Sequence, residues 1–200
     1  MSTIKRICVY CGSGVGSDPA FAEAARHLGT ILADNSIGLV YGGGSVGLMG
    51  ELASAVLDRG GDAIGVIPNF LVNREHELGR GTIIRTHDMH ERKQRMFDEA
   101  DAFVALPGGV GTLEEVVEQM TWAQLGRHKK PILLANIKDF WNPLCALLDH
   151  MQDLQFIRPG LMVSYLVANR VEDIVPMLTA AARGVAELEK AMQPPVAGRV

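Results

Sequence analysis

Short apolar runs alternate with longer amphipathic segments along most of this chain. Five runs are rich in β-branched and other apolar residues, and they cover residues 4–10, 37–41, 63–67, 102–106 and 131–135. Their length and composition are typical of strands that are buried on both faces of a sheet. Weaker runs predict a minor strand at 82–85 and a late strand at 165–168.

The segments between the runs have the period of amphipathic helices. Asp18 and Pro19 mark the start of the first helix, because aspartate favours the N-cap and proline the first helical position. This helix is expected to end near Asp34. The pattern predicts further helices from the second glycine loop to about residue 60, and over about 88–100, 112–125, 143–154 and 171–183. Residues 69–81 are expected to form a loop with a short helical turn.

Strands separated by helices predict an α/β fold, a Rossmann-like doubly wound parallel sheet with helices on both faces. The sequence contains no internal repeat and no linker. We therefore expect a single domain over residues 1–183, followed by a flexible tail over residues 184–200. Ligands of such sheets bind beyond the carboxyl ends of the strands, where the strand order reverses.

Three of the predicted strands end in glycine-rich loops. These loops cover residues 12–16, 42–47 and 107–112. Because parallel strands present their carboxyl ends at one edge of the sheet, the three loops are expected to converge on one ligand site. Any single loop could equally be a tight turn that packs a helix on a strand.

Residues 107–115, with the sequence PGGVGTLEE, are the most informative of these loops. Glycines let the backbone approach a ligand closely, and the following helix adds unpaired N–H groups and the positive end of its dipole. With the Thr112 hydroxyl, this arrangement predicts a cradle for a phosphate. Glu115 falls in the first helical turn, so a carboxylate lies beside the cradle. The pair indicates a phosphate anchor next to a catalytic carboxylate.

The helix that follows Asp88 supplies cations. Met89, Arg92, Lys93 and Met96 share one helical face by their spacing. A face that mixes methionine with cations suits a ligand with an apolar base and an anionic phosphate. The alternative is a solvated helix with ordinary ion pairs.

Other ligands fit the sequence less well. Residues 42–47 match G-x-G-x-x-G, but the next strand ends in residues 66–69 without the acidic residue that a dinucleotide site uses for the ribose. No P-loop motif is present. Cys8 and Cys11 form C-x-x-C, but Cys8 lies inside a predicted strand, where the two side chains point to opposite faces. We therefore interpret them as buried small residues.

Composition and charge argue against several other classes of protein. The 200 residues carry a net charge of −4, which argues against a nucleic-acid surface. No apolar run approaches the roughly 20 residues that span a bilayer, and the N-terminal run is too short for a signal peptide. A membrane role is not expected, and a cytoplasmic location is. His87, Asp88 and His90 lack further ligands at a readable spacing, so no metal site is predicted.

Taken together, the motifs resemble those of the LOG (Lonely Guy) family, phosphoribohydrolases that release cytokinin bases from their riboside 5′-monophosphates. Residues 107–115 match its P-G-G-x-G-T-x-x-E signature, and residues 89–93 resemble its M-x-x-R-K element. The segments 11–13 and 41–44 follow in the expected order. The similarity covers roughly residues 4–180. It is less specific for the substrate, because related members cleave AMP or other nucleotides.

The resemblance implies hydrolysis of the N-glycosidic bond of a purine or cytokinin riboside 5′-monophosphate, with no metal and no organic cofactor. Glu115 is expected to stabilise positive charge on the sugar, and the resemblance points to Arg92 as its catalytic partner. The expected substrate-binding residues are Ser13, Gly43, Gly44, Met89, Lys93, Gly108, Gly109, Gly111, Thr112 and Glu118.

Two alternatives remain open at this point. The protein could be a general AMP nucleosidase, or a nucleotide- or pterin-cofactor-binding protein without turnover. An older description of such proteins as lysine decarboxylases is not favoured, because no lysine is placed at a strand end to bind pyridoxal phosphate. The resemblance also implies a homodimer. Val116, Val117 and Met120 could form its interface, although a position in the core is the preferred interpretation.

Overall fold

The computed structural model describes residues 4–72, 78–158 and 160–192. Within these ranges, seven strands form one parallel sheet in the order β4-β3-β2-β1-β5-β6-β7. The strands are β1 (Arg6–Tyr10), β2 (Gly38–Tyr41), β3 (Ala63–Pro68), β4 (Thr82–Thr86), β5 (Ala102–Ala105), β6 (Ile132–Ala135) and β7 (Leu166–Ala168). The predicted α/β fold with a doubly wound parallel sheet is confirmed.

Six α-helices are present in the same ranges. They are α1 (Pro19–Asp34), α2 (Gly47–Asp58), α3 (Met89–Glu99), α4 (Val110–Gln124), α5 (Asn142–Asp153) and α6 (Ile174–Met192). Short 3₁₀ turns cover Asn69–Leu71, Ile137–Asp139 and Val171–Asp173. Of residues 69–81, which the sequence predicts to form a loop with a short helical turn, residues 73–77 lie outside the described ranges.

Helices cover both faces of the sheet. One core cluster joins one face to α1, α2 and α6, and the other cluster joins the opposite face to α3, α4 and α5. Every residue of β5 and β6 is buried, which explains why these strands read as continuous apolar runs. The weakly patterned β4 lies at one edge of the sheet and is only partly buried.

Local signals set several helix boundaries as expected. The Asp18 side chain accepts a hydrogen bond of 2.9 Å from the Ala20 N–H, and Pro19 is the first residue of α1. Asp88 caps α3 in the same way, with 2.9 Å between its Oδ1 and the Glu91 nitrogen. Both caps satisfy N–H groups that a helix start leaves without partners.

The chain departs from the predicted elements at its end. Helix α6 continues past residue 183 to Met192, so the first part of the predicted tail is helical. Its apolar positions Ile174, Leu178 and Ala182 pack in the core, and the turns beyond them extend that helix with few buried residues. Residues 193–200 lie outside the described ranges. No described helix is both long and apolar enough to cross a membrane.

Candidate active site

The three glycine loops meet at the carboxyl edge of the sheet. β1 lies between β2 and β5, and the strand order reverses between β1 and β5. The Gly12 N–H donates to the Pro107 carbonyl at 3.1 Å, and the Leu48 N–H donates to the Gly12 carbonyl at 3.1 Å. A side chain at Gly47 would overlap the Ser13 carbonyl. Backbone therefore packs directly on backbone, as the convergence of the loops requires.

A pocket of about 330 Å³ opens where these loops meet α3 and α4. Its volume is within the range of sites for small molecules. It is lined by Val9, Tyr10, Cys11, Ser13, Gly42, Met49, Leu71, Met89, Arg92, Gly109, Val110, Gly111, Thr112, Glu114 and Glu115.

Arg92 and Glu115 form an ion pair at the bottom of this pocket. The distance between Arg92 Nη1 and Glu115 Oε1 is 2.5 Å, and the side chains are only 8% and 10% exposed. Arg92 Nε also donates to the Val66 carbonyl in β3, at 3.0 Å. Two opposite charges are thus held in fixed positions in a poorly solvated pocket, where their fields act more strongly than in water.

The sequence predicts an anion cradle at the start of α4. Gly109 is its N-cap residue, in extended backbone, and it carries no side chain that could cover the first N–H groups of the helix. A side chain at Gly108 would overlap the Thr112 hydroxyl, which therefore lies against the loop. Gly109, Gly111 and Thr112 line the pocket beside Glu115.

The predicted site residues divide into two groups. Beside Arg92, Glu115 and the α4 residues, the pocket includes Ser13 and Met89. Gly108 lines a neighbouring pocket of about 280 Å³ that Phe21 and Phe140 also border. Gly43 and Gly44 are buried and are not among the lining residues of the first pocket; Gly43 packs against β3.

Lys93 and Glu118 contact each other rather than the pocket. Lys93 Nζ donates to Glu114 Oε1 at 2.6 Å and to Glu118 Oε1 at 2.9 Å. Burial alone lowers the pKa of the Lys93 ammonium, but hydrogen bonds and charges from the two carboxylates outweigh burial and raise this pKa above its usual value. This cation therefore ties α3 to α4.

Two pocket residues, Met49 and Leu71, are not apparent from the sequence. Met49 lies in the first turn of α2, directly after a glycine loop. This position after the loop was the one feature of the sequence that could have indicated a place in the pocket. Leu71 lies in the 3₁₀ turn after β3. Together with Met89, they form an apolar part of the pocket lining.

Tyr10 lines the same pocket as the ion pair. Its ring stacks on Phe103, with centroids 6.1 Å apart. Burial raises the pKa of the Tyr10 phenol well above its usual value, and the nearby Cys8 and Glu115 raise it further. Burial likewise raises the pKa of the Cys8 thiol. Both groups are therefore neutral at physiological pH, and Cys8 has the buried, unreactive character expected from its place in a strand.

The described residues include no group of three or more histidine, cysteine, aspartate or glutamate side chains placed to hold a metal ion. His87 and His90 are exposed on either side of the α3 N-cap, outside the pocket.

Fold and pocket together define a doubly wound α/β protein with a glycine-lined pocket and a buried arginine–glutamate pair at its switch point. A family model described as "Possible lysine decarboxylase" matches residues 49–178. Curated relatives that span most of the chain carry the LOG name, and the chain belongs to the LOG family. None of the residues that line the described pocket is a lysine.

Plant proteins are among the similar sequences. The chain is 47% identical over 178 residues to cytokinin riboside 5′-monophosphate phosphoribohydrolase LOG7 of Arabidopsis thaliana, covering 88% of this chain and 82% of that protein. It is 45% identical to LOG1 of the same plant, covering 88% and 84%. The rice (Oryza sativa subsp. japonica) phosphoribohydrolase LOG is 51% identical over 150 residues, covering 74% and 62%.

Solved structures support the fold. The molybdenum cofactor binding protein of Rippkaea orientalis superimposes with a TM-score of 0.66 at 23% identity, covering 90% of this chain and 98% of that one. The molybdenum cofactor carrier protein of Chlamydomonas reinhardtii gives 0.66 at 21% identity, covering 89% and 98%. At this level of identity, the similarity shows the shared fold alone.

Proposed function

We propose that this protein hydrolyses the N-glycosidic bond of purine or cytokinin riboside 5′-monophosphates, releasing the free base and ribose 5-phosphate. The observation that carries this proposal is the buried pair of Arg92 and Glu115 beside the α4 cradle. The reaction requires one fixed negative charge and one fixed positive charge in the site. Both must lie close to a substrate that is anchored by its phosphate. Relatives named for this reaction support it.

The phosphate would bind at the start of α4. The N–H groups that follow Gly109 and the helix dipole favour an anion, and the Thr112 hydroxyl adds a donor. Ser13 faces the same pocket from the β1 loop. Glu115 lies one helical turn beyond the start of α4, so a nucleotide anchored by its phosphate would have its sugar beside this carboxylate. Such positioning removes part of the entropic barrier to the reaction.

Cleavage builds positive charge on the sugar, as in other glycoside hydrolyses. The Glu115 carboxylate would stabilise that charge and orient the attacking water. Negative charge develops on the departing base, and the Arg92 guanidinium would stabilise it. The apolar lining from Met49, Leu71 and Met89 suits the flat, largely apolar face of a purine.

The remaining predicted contacts take supporting roles in this proposal. Lys93 and Glu118 would hold α3 against α4, so that Arg92 and Glu115 face each other. Gly43 and Gly108, where a side chain would meet β3 and the Thr112 hydroxyl, would keep the loops close enough to form the pocket, and Gly44 is buried beside Gly43. No step requires a metal or an organic cofactor.

A substrate panel tests the reaction. The purified protein is incubated with isopentenyladenosine monophosphate, AMP and the corresponding nucleosides, and the free base is quantified by chromatography. We expect base release from the monophosphates and at least about 100-fold less from the nucleosides, because the phosphate supplies the anchor. Faster turnover of AMP than of the cytokinin nucleotide would instead favour the salvage nucleosidase.

A carrier without turnover is the candidate from another class, and the fold similarity to molybdenum cofactor proteins is the observation behind it. Tight binding of nucleotide with no base released would favour that function. Arg92 and Glu115 favour the enzyme, because a site that only binds a phosphorylated anion gains nothing from a carboxylate beside its cradle.

We also propose a homodimer and a cytoplasmic location. Val116 and Met120 are core residues, as the preferred interpretation has them, whereas Val117, which that interpretation also placed in the core, is exposed. With Val110 and Leu113 it forms an apolar stripe on α4 at helical spacing, next to the pocket. This stripe is the proposed dimer interface. Fractionation of the source cells would test the location.

A further inference from the structure

Gly42, the residue directly after β2, has no room for a side chain. A methyl group built on it would lie 2.5 Å from Arg92 Nη2 and 2.8 Å from Met49 Sδ. The third nearest atom is Arg92 Cζ, at 3.7 Å. The space that a side chain would fill is thus occupied by the guanidinium group and by the thioether of a second pocket residue.

The backbone conformation does not by itself require glycine at this position. The φ angle of Gly42 lies outside the positive range, whereas Gly43 and Gly47 have φ angles of 84° and 63°. An L-amino acid can adopt the backbone of Gly42 without strain. The constraint on Gly42 is therefore the volume that Arg92 and Met49 occupy.

The guanidinium lies between β3, α4 and the end of β2. Its Nε donates to the Val66 carbonyl in β3, its Nη1 contacts Glu115 on α4, and its Nη2 occupies the space where a Gly42 side chain would lie. The atoms nearest to an added methyl group are the far ends of two flexible side chains, which can move without unfolding the sheet. An added methyl group would leave the fold in place and displace the guanidinium.

We infer that Gly42 is a positioning residue, which acts through Arg92 by leaving open the space in which the guanidinium faces the leaving base. This inference rests on the proposed function and deepens it. A shift of about 1 Å in a catalytic group can cost up to about 100-fold in rate. Gly42 lines the pocket from the end of β2, whereas the proposed phosphate cradle lies at the start of α4, so we expect the rate to change more than the binding.

The first test is a comparison of Gly42→Ala with Gly38→Ala in single-turnover and steady-state kinetics. Gly38 begins the same strand, and a methyl group there would meet the flexible Arg6 side chain, with Cγ at 3.2 Å. We expect Gly42→Ala to lower kcat about 10- to 100-fold with KM changed less than about 3-fold. Gly38→Ala should match the wild type in both constants. An unchanged kcat in Gly42→Ala, or a change in KM alone, would overturn the inference.

A double-mutant cycle separates a role through Arg92 from a general structural role. In an Arg92→Lys background the Nη2 group is gone, so Gly42→Ala should cost less than about 3-fold in the residual rate. Equal fold losses in both backgrounds would show that Gly42 serves the strand end independently of Arg92, and the inference would be wrong.

A second measurement does not depend on catalysis. The Arg92 Nε–H signal in a ¹H–¹⁵N spectrum is assigned by its disappearance in Arg92→Lys. It should shift or broaden in Gly42→Ala and stay in place in Gly38→Ala. If the wild type released no base from any nucleotide, the proposed function would fail, and this signal would still decide the inference: an unmoved Arg92 resonance in Gly42→Ala refutes it.

Discussion

Glu115 carries the negative charge on which the proposed chemistry depends. Glu115→Gln keeps the shape of the side chain and an oxygen that can accept from Arg92, so the fold and the phosphate cradle should persist. Because the charge that stabilises the sugar is lost, we expect kcat to fall about 100- to 1,000-fold with nucleotide binding retained. Base release and isothermal titration measure the two effects.

The matched control for this change is Glu51→Gln, which alters a surface pair with Arg26. It should leave both the rate and the affinity unchanged. Full activity in Glu115→Gln would remove the catalytic assignment, and loss of binding without loss of kcat would make Glu115 a substrate-binding residue only.

Gln119 is fully buried, and within the described residues its side-chain amide has no hydrogen-bond partner. Its backbone carbonyl faces the His128 ring at 3.2 Å. Burying an unsatisfied amide costs free energy, so Gln119→Met should raise the free energy of unfolding by about 1 kcal/mol or more. Urea denaturation measures this change. Gln152→Met, at an exposed position, is the control and should change stability little. A lower stability of Gln119→Met would contradict the prediction, because it would show that the Gln119 amide makes a polar contact that stabilises the fold.

Among the helices, α3 and α4 position the candidate site. Helix α3 buries Arg92, Lys93 and Met96 on one face, as its spacing predicts, because that face packs on α4 and the sheet. This face of α3 is therefore not solvated, although ion pairs of the kind that the alternative expected are present at Lys93 and Arg95. The spacing of residues identified this face of α3. It could not show that Glu114 and Glu118 of α4 would form ion pairs with Lys93. Partners that lie more than 20 positions apart are set by packing, which periodicity does not report.

Caps at helix starts were predictable because they act within a few residues. Removing the Asp18 cap of α1 in Asp18→Ala should cost about 1 kcal/mol of stability. Thermal denaturation measures this cost, and Asp18→Asn is the matched control, since asparagine also caps helices. Equal losses in both variants would contradict the role of the cap.

The Asp88 cap of α3 makes a pH-dependent contribution. A hydrogen bond from the Glu91 backbone N–H holds the pKa of the Asp88 carboxyl below its usual value. A carboxyl whose pKa is lower in the folded state stabilises the fold above its unfolded-state pKa, and this stabilisation is lost as the pH falls through the folded-state pKa. The Tm of Asp88→Ala should therefore lie below that of the wild type at pH 7, and the gap should narrow below about pH 4. A gap independent of pH would contradict this account.

For the chain as a whole, the apolar stripe on α4 is one of several exposed apolar surfaces in the described residues, and it is the one that reaches the pocket. We expect the wild type to elute with twice the chain mass of 21.6 kDa in size exclusion with light scattering. Val117→Glu places a charge in the proposed interface and should give monomers. Leu188→Glu, at an exposed apolar position on α6, should remain dimeric. A monomeric wild type, or a dimeric Val117→Glu, would show that the stripe is not the interface.

The sequence by itself determined the alternation of strands and helices, the helix caps, the glycine loops and the family signature. Each of these depends on neighbouring residues, so local chemistry is enough to predict it. The pairing of Arg92 with Glu115 was implied by family resemblance and not by any local pattern.

Only the tertiary structure decided the strand order, the assignment of Lys93 to two carboxylates, and the entry of Met49 and Leu71 into the pocket. It also showed that Gly42 is glycine because of a neighbour 50 positions away in the chain rather than because of its own backbone. These features depend on which segments pack together, and that is set by burial across the whole sheet rather than by any stretch of residues.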